Sequence, residues 1–142
     1  MNTLSQVQSN RQRGGKIFED FVALAFDEIK SPLREFNKTS KWARVGLKET
    51  DLTFDVDGLV EGEDGTIHLI EVKKSISDST VCKIYCQYMA YFHNILTDFP
   101  KWTFTVIVEE MTKTNKRHLK KLSKLPNFRY TSWTELDKLN WK

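Results

Sequence analysis

The densest chemistry in the chain lies between Thr53 and Ser75, TFDVDGLVEGEDGTIHLIEVKKS, where two apolar, alternating runs are joined by an acidic, glycine-bearing turn. The first run carries Asp55 and Asp57, and the second ends in Glu71-Val72-Lys73. Side chains along a strand alternate between faces, so Ile67, Leu69, Glu71 and Lys73 share one face and His68, Ile70 and Val72 the other. A carboxylate and an ammonium thus emerge side by side from a strand otherwise apolar enough to be buried. Charge is costly to bury unless it is paired or bound to a metal, so the pattern is either a structural ion pair or a functional site.

The hairpin geometry bears on that choice. A three-residue turn at Glu63-Asp64-Gly65, with Gly65 left-handed and followed by a bulge, pairs Gly62 with Thr66 and sets Asp57 directly opposite Glu71. Two carboxylates and one lysine then occupy one spot. A tighter Asp64-Gly65 turn shifts the register by one residue and sends Asp57 to the face of Val72.

The elements that must position these residues are legible on either side. After a polar, loose stretch from Met1 to about Gln12, a helical period begins at Gly15 with Ile17, Phe18, Phe21, Val22, Leu24, Ala25, Phe26 and Ile29, and stops before Pro32. Residues 32–40 read as a connection and Lys41–Gly46 as a weak strand. Beyond the hairpin, Ser77, Asp78 and Ser79 are N-cap candidates for a helix from about Thr80 to Leu96. Its apolar side is expected to include Val81, Ile84, Tyr85, Tyr88, Phe92, Ile95 and Leu96, with Cys82 and Cys86 as small core residues, while Lys83, Gln87 and Tyr91 line one stripe. Trp102–Glu109 reads as a buried strand, Thr112–Leu125 as a basic helix, and Phe128–Thr131 as a short last strand. Ser132 with Glu135 three residues on has the form of a capping box opening a terminal helical turn.

A helix bearing Glu19, a strand ending in Asp57 and a following strand ending Glu71-Val72-Lys73 resemble the PD-(D/E)XK nuclease superfamily. The phrases Asp57-Gly58-Leu59-Val60 and Leu69-Ile70-Glu71-Val72-Lys73-Lys74-Ser75 are similar to archaeal Holliday-junction resolvases and RecB-like nucleases, and Gln87-Tyr88-Met89-Ala90-Tyr91 matches the QxxxY motif of the RecB-like group. The likeness spans roughly Gly15 to Val108. Val56 stands where the superfamily name has a proline, and the iron–sulfur cysteines of some RecB-like nucleases are missing. A second Glu-x-Lys, Glu28-Ile29-Lys30 on the first helix, lacks the upstream aspartate and the apolar strand and serves as an internal control.

The resemblance implies an α/β restriction-endonuclease-like core, a mixed sheet flanked by helices in the order αβββαβ plus the basic C-terminal helix. It also implies a metal-dependent deoxyribonuclease. Asp57, Glu71, the Val72 carbonyl and Glu19 would bind Mg²⁺ or Mn²⁺, with Asp55 as the alternate to Asp57; Lys73 would act on the attacking water, and Gln87 and Tyr91 would complete the site. Lys74, Arg11, Arg13, Lys16 and the cations from Lys113 to Lys124 are candidates for phosphate contact, their alternative being a solvated surface. Gln87 and Tyr91 lean toward a RecB-like exonuclease, whereas the short chain leans toward a small structure-specific or restriction/homing endonuclease acting as a homodimer or higher homo-oligomer. A non-cleaving nucleic-acid-binding module is the rival from another class. An RNA endonuclease of the cap-snatching type is disfavoured, since the N-terminal helix has no histidine.

Bulk properties set the frame. The 142 residues suit one domain; 39% are apolar and 29% charged, and no apolar run approaches the roughly 20 residues of a membrane helix. No signal peptide opens the sequence, and two cysteines four apart make no disulfide framework, so an intracellular, cytoplasmic setting is expected. A net charge of +3 permits nucleic-acid binding without arguing for it. Gly14-Gly15-Lys16 lacks the spacing of a phosphate loop, which disfavours nucleotide hydrolysis.

Overall fold

The computed structural model describes residues 22, 33–36, 44–46, 53–55, 57–95 and 101–141. In these residues lie strands β1 (Leu33–Phe36), β2 (Arg44–Gly46), β3 (Thr53–Asp55), β4 (Gly58–Glu61), β5 (Ile67–Lys73), β6 (Trp102–Val108) and β7 (Phe128–Ser132). Two helices, α1 (Asp78–Ile95) and α2 (Lys113–Leu122), and a 3-10 turn at Trp133–Lys138 complete them. The main sheet runs β1-β4-β5-β6-β7, and β2 and β3 form a separate ribbon. Antiparallel pairing joins β1 to β4 and β4 to β5, whereas β5, β6 and β7 are parallel. With both helices over one face and Val22 and the 3-10 turn over the other, this is the mixed α/β core that the resemblance implies, with β7 added beside β6.

The two central strands read IHLIEVK and WTFTVIV and are buried on both faces, as parallel strands covered on either side must be. In front, Leu59, Ile67, Leu69, Phe104 and Val106 pack against Ile84, Tyr88 and Tyr91 of α1 and Leu119 and Leu122 of α2. Behind, Val60, Ile70, Val72 and Ile107 meet Val22, Leu136 and Trp141. Both crossovers, β5-α1-β6 and β6-α2-β7, lie in front, as right-handed connections advancing one way across a sheet require. The back layer also holds a polar cluster: Arg129 donates from Nε to Thr105 Oγ1 (3.1 Å), from Nη1 to the Asn140 carbonyl (2.7 Å) and from Nη2 toward His68 Nδ1 (3.3 Å), and lies 4.6 Å above the Trp141 ring. Burial pushes its pKa down to about 10.

Several expectations are corrected. Residues 33–36 form the edge strand β1, paired to β4 with an irregularity between Leu33 and Glu35, rather than part of a connection. The strand expected at Lys41–Gly46 shortens to Arg44–Gly46 and pairs with β3, outside the main sheet. The first apolar run is broken between Asp55 and Gly58, its halves joining different sheets. Cys82 and Cys86 are exposed, and Tyr85 is 45% exposed, because the buried stripe of α1 is fixed by Ile84, Tyr88 and Tyr91, and these three point away from it. Ser132 makes no capping bond, and Glu135 instead pairs with Lys138 at 2.9 Å. Of the first helix, Val22 alone is described; it is helical and fully buried. No described helix is long and apolar enough to cross a membrane.

Candidate active site

The hairpin settles in the first of its two registers. Gly62 N–H donates to the Thr66 carbonyl at 2.8 Å, Gly65 N–H to that of Gly62 at 3.0 Å, and Gly65 has φ +84°, a conformation that costs glycine little. Asp64 Oδ1 accepts from the Thr66 N–H at 2.9 Å and locks the turn, which holds the Asp64 carboxyl below the usual range. From there β4 and β5 pair Glu61 with Ile67, Val60 with His68, Leu59 with Leu69 and Gly58 with Ile70. One step further, Asp57 N–H donates to the Ile70 carbonyl at 3.1 Å, so Asp57 comes level with Glu71.

The side chains follow the backbone. Asp57 Oδ2 accepts from the Val72 N–H at 2.8 Å, and the Glu71 side chain stands next to the Asp57 carboxyl. Burial pushes the Asp57 carboxyl above its ordinary 3.8, against the pull of the Val72 N–H, the Glu71 hydrogen bond and the charge of Lys73. Glu71 is 1% exposed, and its place on β5, with Leu69 before it and Lys73 after it on the same face, is fixed by the packed strand. Lys73 closes the strand and is partly buried.

The arrangement stands at the carboxyl end of β5, where ligands of open α/β sheets bind. A cleft of about 420 Å³ adjoins that end, lined by Lys74, Ser75 and Ile76 after β5 and by Glu109, Glu110 and Thr112 after β6. Lys74 faces Glu109 across it at 3.9 Å, both well exposed.

The remaining expected residues are placed less tightly. Tyr91 is fully buried in the front layer, its ring 5.5 Å from Phe104. Gln87 is partly buried, and its Oε1 has no hydrogen-bond partner. Asp55 lies in the ribbon opposite Arg44, one residue before the break in the chain's first run. Glu19, Arg11, Arg13 and Lys16 lie outside the described residues. Among the described residues no three His, Cys, Asp or Glu side chains gather as a metal site. The donors at hand still suit a hard divalent cation: two neighbouring carboxyls, Glu71 buried and Asp57 half-buried, whose like charges a cation would compensate.

One residue went unnoticed in the sequence. Asn115, 3% exposed, accepts from the Ile76 N–H at 2.9 Å and donates to the Glu110 carbonyl at 2.8 Å, clamping the loop after β5 to the loop after β6. Its signal was positional: Asn115, His118, Leu119 and Leu122 fall on one helical stripe.

No protein-family model matches the chain, and no curated protein does. Among solved structures it is similar to a repair endonuclease from Pyrococcus abyssi (13% identity, TM-score 0.48, covering 78% of this chain and 43% of that one). It is also similar to the EndoMS protein in a complex with double-stranded DNA (18% identity, TM-score 0.47, covering 80% and 43%). The chain thus spans less than half the length of either, and a likeness at this level is one of partial shape.

Proposed function

We propose that the protein is a metal-dependent deoxyribonuclease, of the small structure-specific or restriction/homing type. One observation carries the reading: the Asp57 and Glu71 carboxyls meet at the seam of β4 and β5, with Lys73 next on the same face. A structural ion pair explains Glu71 with Lys73 but gives no reason for a second, half-buried carboxyl beside them whose ionisation desolvation opposes. Asp57, Glu71 and the Val72 carbonyl would hold Mg²⁺ or Mn²⁺, with waters and Glu19 filling the remaining positions. Such an ion supplies neutralisation of phosphate charge and easier ionisation of the attacking water.

The chain's own contribution is placement. The packed strand holds Glu71, and the Val72 N–H holds Asp57, so neither carboxyl has to reorganise when phosphate arrives. Lys73 would orient the attacking water and stabilise negative charge growing on the phosphate. Loss of one such preorganised charge costs about 3 kcal/mol of transition-state stabilisation, roughly a hundredfold in rate. The test is cleavage of plasmid, single-stranded and branched DNA with Mg²⁺, Mn²⁺ or EDTA. Cutting that needs the ion and falls about a hundredfold or more in Lys73→Ala and Glu71→Ala is expected. Cleavage within a few fold of wild type in either variant would overturn the assignment.

A further inference from the structure

Helix α2 and the turn after it carry Lys113, Lys116, Arg117, Lys120, Lys121 and Lys124, with no acidic residue from 113 to 124. All six cations are exposed, and none is ion-paired to a described residue. At about 100° per residue they fall within an arc of about 140°, diametrically opposite Asn115, His118, Leu119 and Leu122, which face the core. The fold does not need this charge. Lys113 and Arg117, Lys116 and Lys120, Arg117 and Lys121, and Lys120 and Lys124 are like-charged neighbours at i, i+4, each pair repulsive. Lys113 and Lys116 also crowd the positive end of the helix dipole. A polyanion laid along the stripe reverses these costs.

The surroundings select the polyanion. A helix that rests on a membrane turns an apolar face to the lipid, whereas the apolar face of α2 is spent on the core. Among the described residues the large exposed hydrophobic side chain is Tyr85, on α1. From Lys113 to Lys124, eleven steps of about 1.5 Å make a ridge about 16 Å long. One DNA strand presents a charge about every 3.4 Å along its axis, so the ridge matches about five phosphates. Helix α2 lies in the front layer, as Glu71 does, over β6 and β7, two to three strand spacings or about 10–15 Å from the β4–β5 seam.

We propose that the α2 stripe is a sequence-independent docking ridge for the phosphate backbone of double-stranded DNA; the choice of DNA as the polyanion rests on the nuclease reading above. Lysines along such a ridge position the duplex and read no bases.

The test is fluorescence anisotropy of a labelled 20-base-pair duplex with the full chain in EDTA, from 25 to 200 mM KCl. The wild type should give a steep linear loss of log affinity with log salt, the same for two unrelated sequences. Lys116→Ala/Lys120→Ala/Lys124→Ala should flatten that slope by about 2–3 and lower affinity at least about tenfold at 50 mM salt. Lys113→Ala/Arg117→Ala/Lys121→Ala should act alike, and circular dichroism should show neither variant melting earlier. An unchanged slope with affinity within twofold, or no duplex binding by the wild type, overturns the ridge even if the protein cuts DNA. Sedimentation with phosphatidylserine vesicles that the variants lose, while their duplex binding stays, overturns it as well. Flattened slopes in both variants support it even if no DNA is cut when Mg²⁺ is added, which would remove the nuclease reading alone.

Discussion

Asn115→Ala asks how far the loops beside the catalytic candidates depend on one buried amide. The side chain satisfies the buried Ile76 N–H at 2.9 Å and the Glu110 carbonyl at 2.8 Å. Orphaning the first costs about 1–3 kcal/mol. The second belongs to an exposed residue and can turn to water, so it adds at most about 1 kcal/mol, and alanine recovers about 0.5 kcal/mol through helix propensity. The balance is about 2 kcal/mol of destabilisation, which for a chain of this length lowers Tm by about 8 °C. Thermal unfolding followed by far-ultraviolet circular dichroism reads this directly. Asn115→Asp keeps an oxygen toward the Ile76 N–H and should melt between the alanine variant and the wild type. A drop under about 2 °C for alanine, or an aspartate variant no better than it, would refute the clamp.

Asp57→Asn should stabilise the protein at neutral pH in EDTA by about 1 kcal/mol, about 4 °C in Tm, as relief of functional strain commonly does. The sign follows from the raised carboxyl: the native state binds this proton more tightly than the unfolded chain, so its favourable contribution is full below 3.8 and is lost as pH rises through the higher folded value. The gain over wild type should therefore shrink as melting is repeated toward pH 4, and a gain independent of pH would count against the burial argument. With Mg²⁺ at about 100 times its Kd the wild type should gain about 2.7 kcal/mol and Asp57→Asn almost nothing, a contrast that differential scanning calorimetry resolves. Gly65→Ala meets no neighbour within 4 Å but forces a side chain to φ +84°, so urea unfolding should show a loss of about 1–2 kcal/mol; no loss would mean the turn relaxes to another form.

The hairpin was legible because its information is local. Gly65 selects the turn, the turn selects the register, and two-residue alternation then carries Asp57 to Glu71. Helix α2 and strands β6 and β7 were visible through equally local periodicity. Edge strand β1 was not, since Leu33–Phe36 has no pattern of its own and becomes a strand by pairing with β4. The cysteines were misplaced for a different reason: Cys82 and Cys86 are two positions either side of Ile84, about 200° round the helix, so its burial puts them in water. Asn115 escaped notice because a polar letter in a basic helix reads as surface, although its spacing to Leu119 and Leu122 marks the core side.

The guanidinium of Arg129, spread between Thr105, the Asn140 carbonyl and the Trp141 ring, makes residues 140 and 141 a working part of the rear wall of the sheet. Trp141 adds its own tie, its indole N–H donating to the Leu136 carbonyl at 2.8 Å. Anything grafted immediately behind Trp141, whether a purification handle or a fluorescent reporter, is therefore joined to a rivet rather than to a loose end. The spacer chosen there decides whether that rivet stays closed.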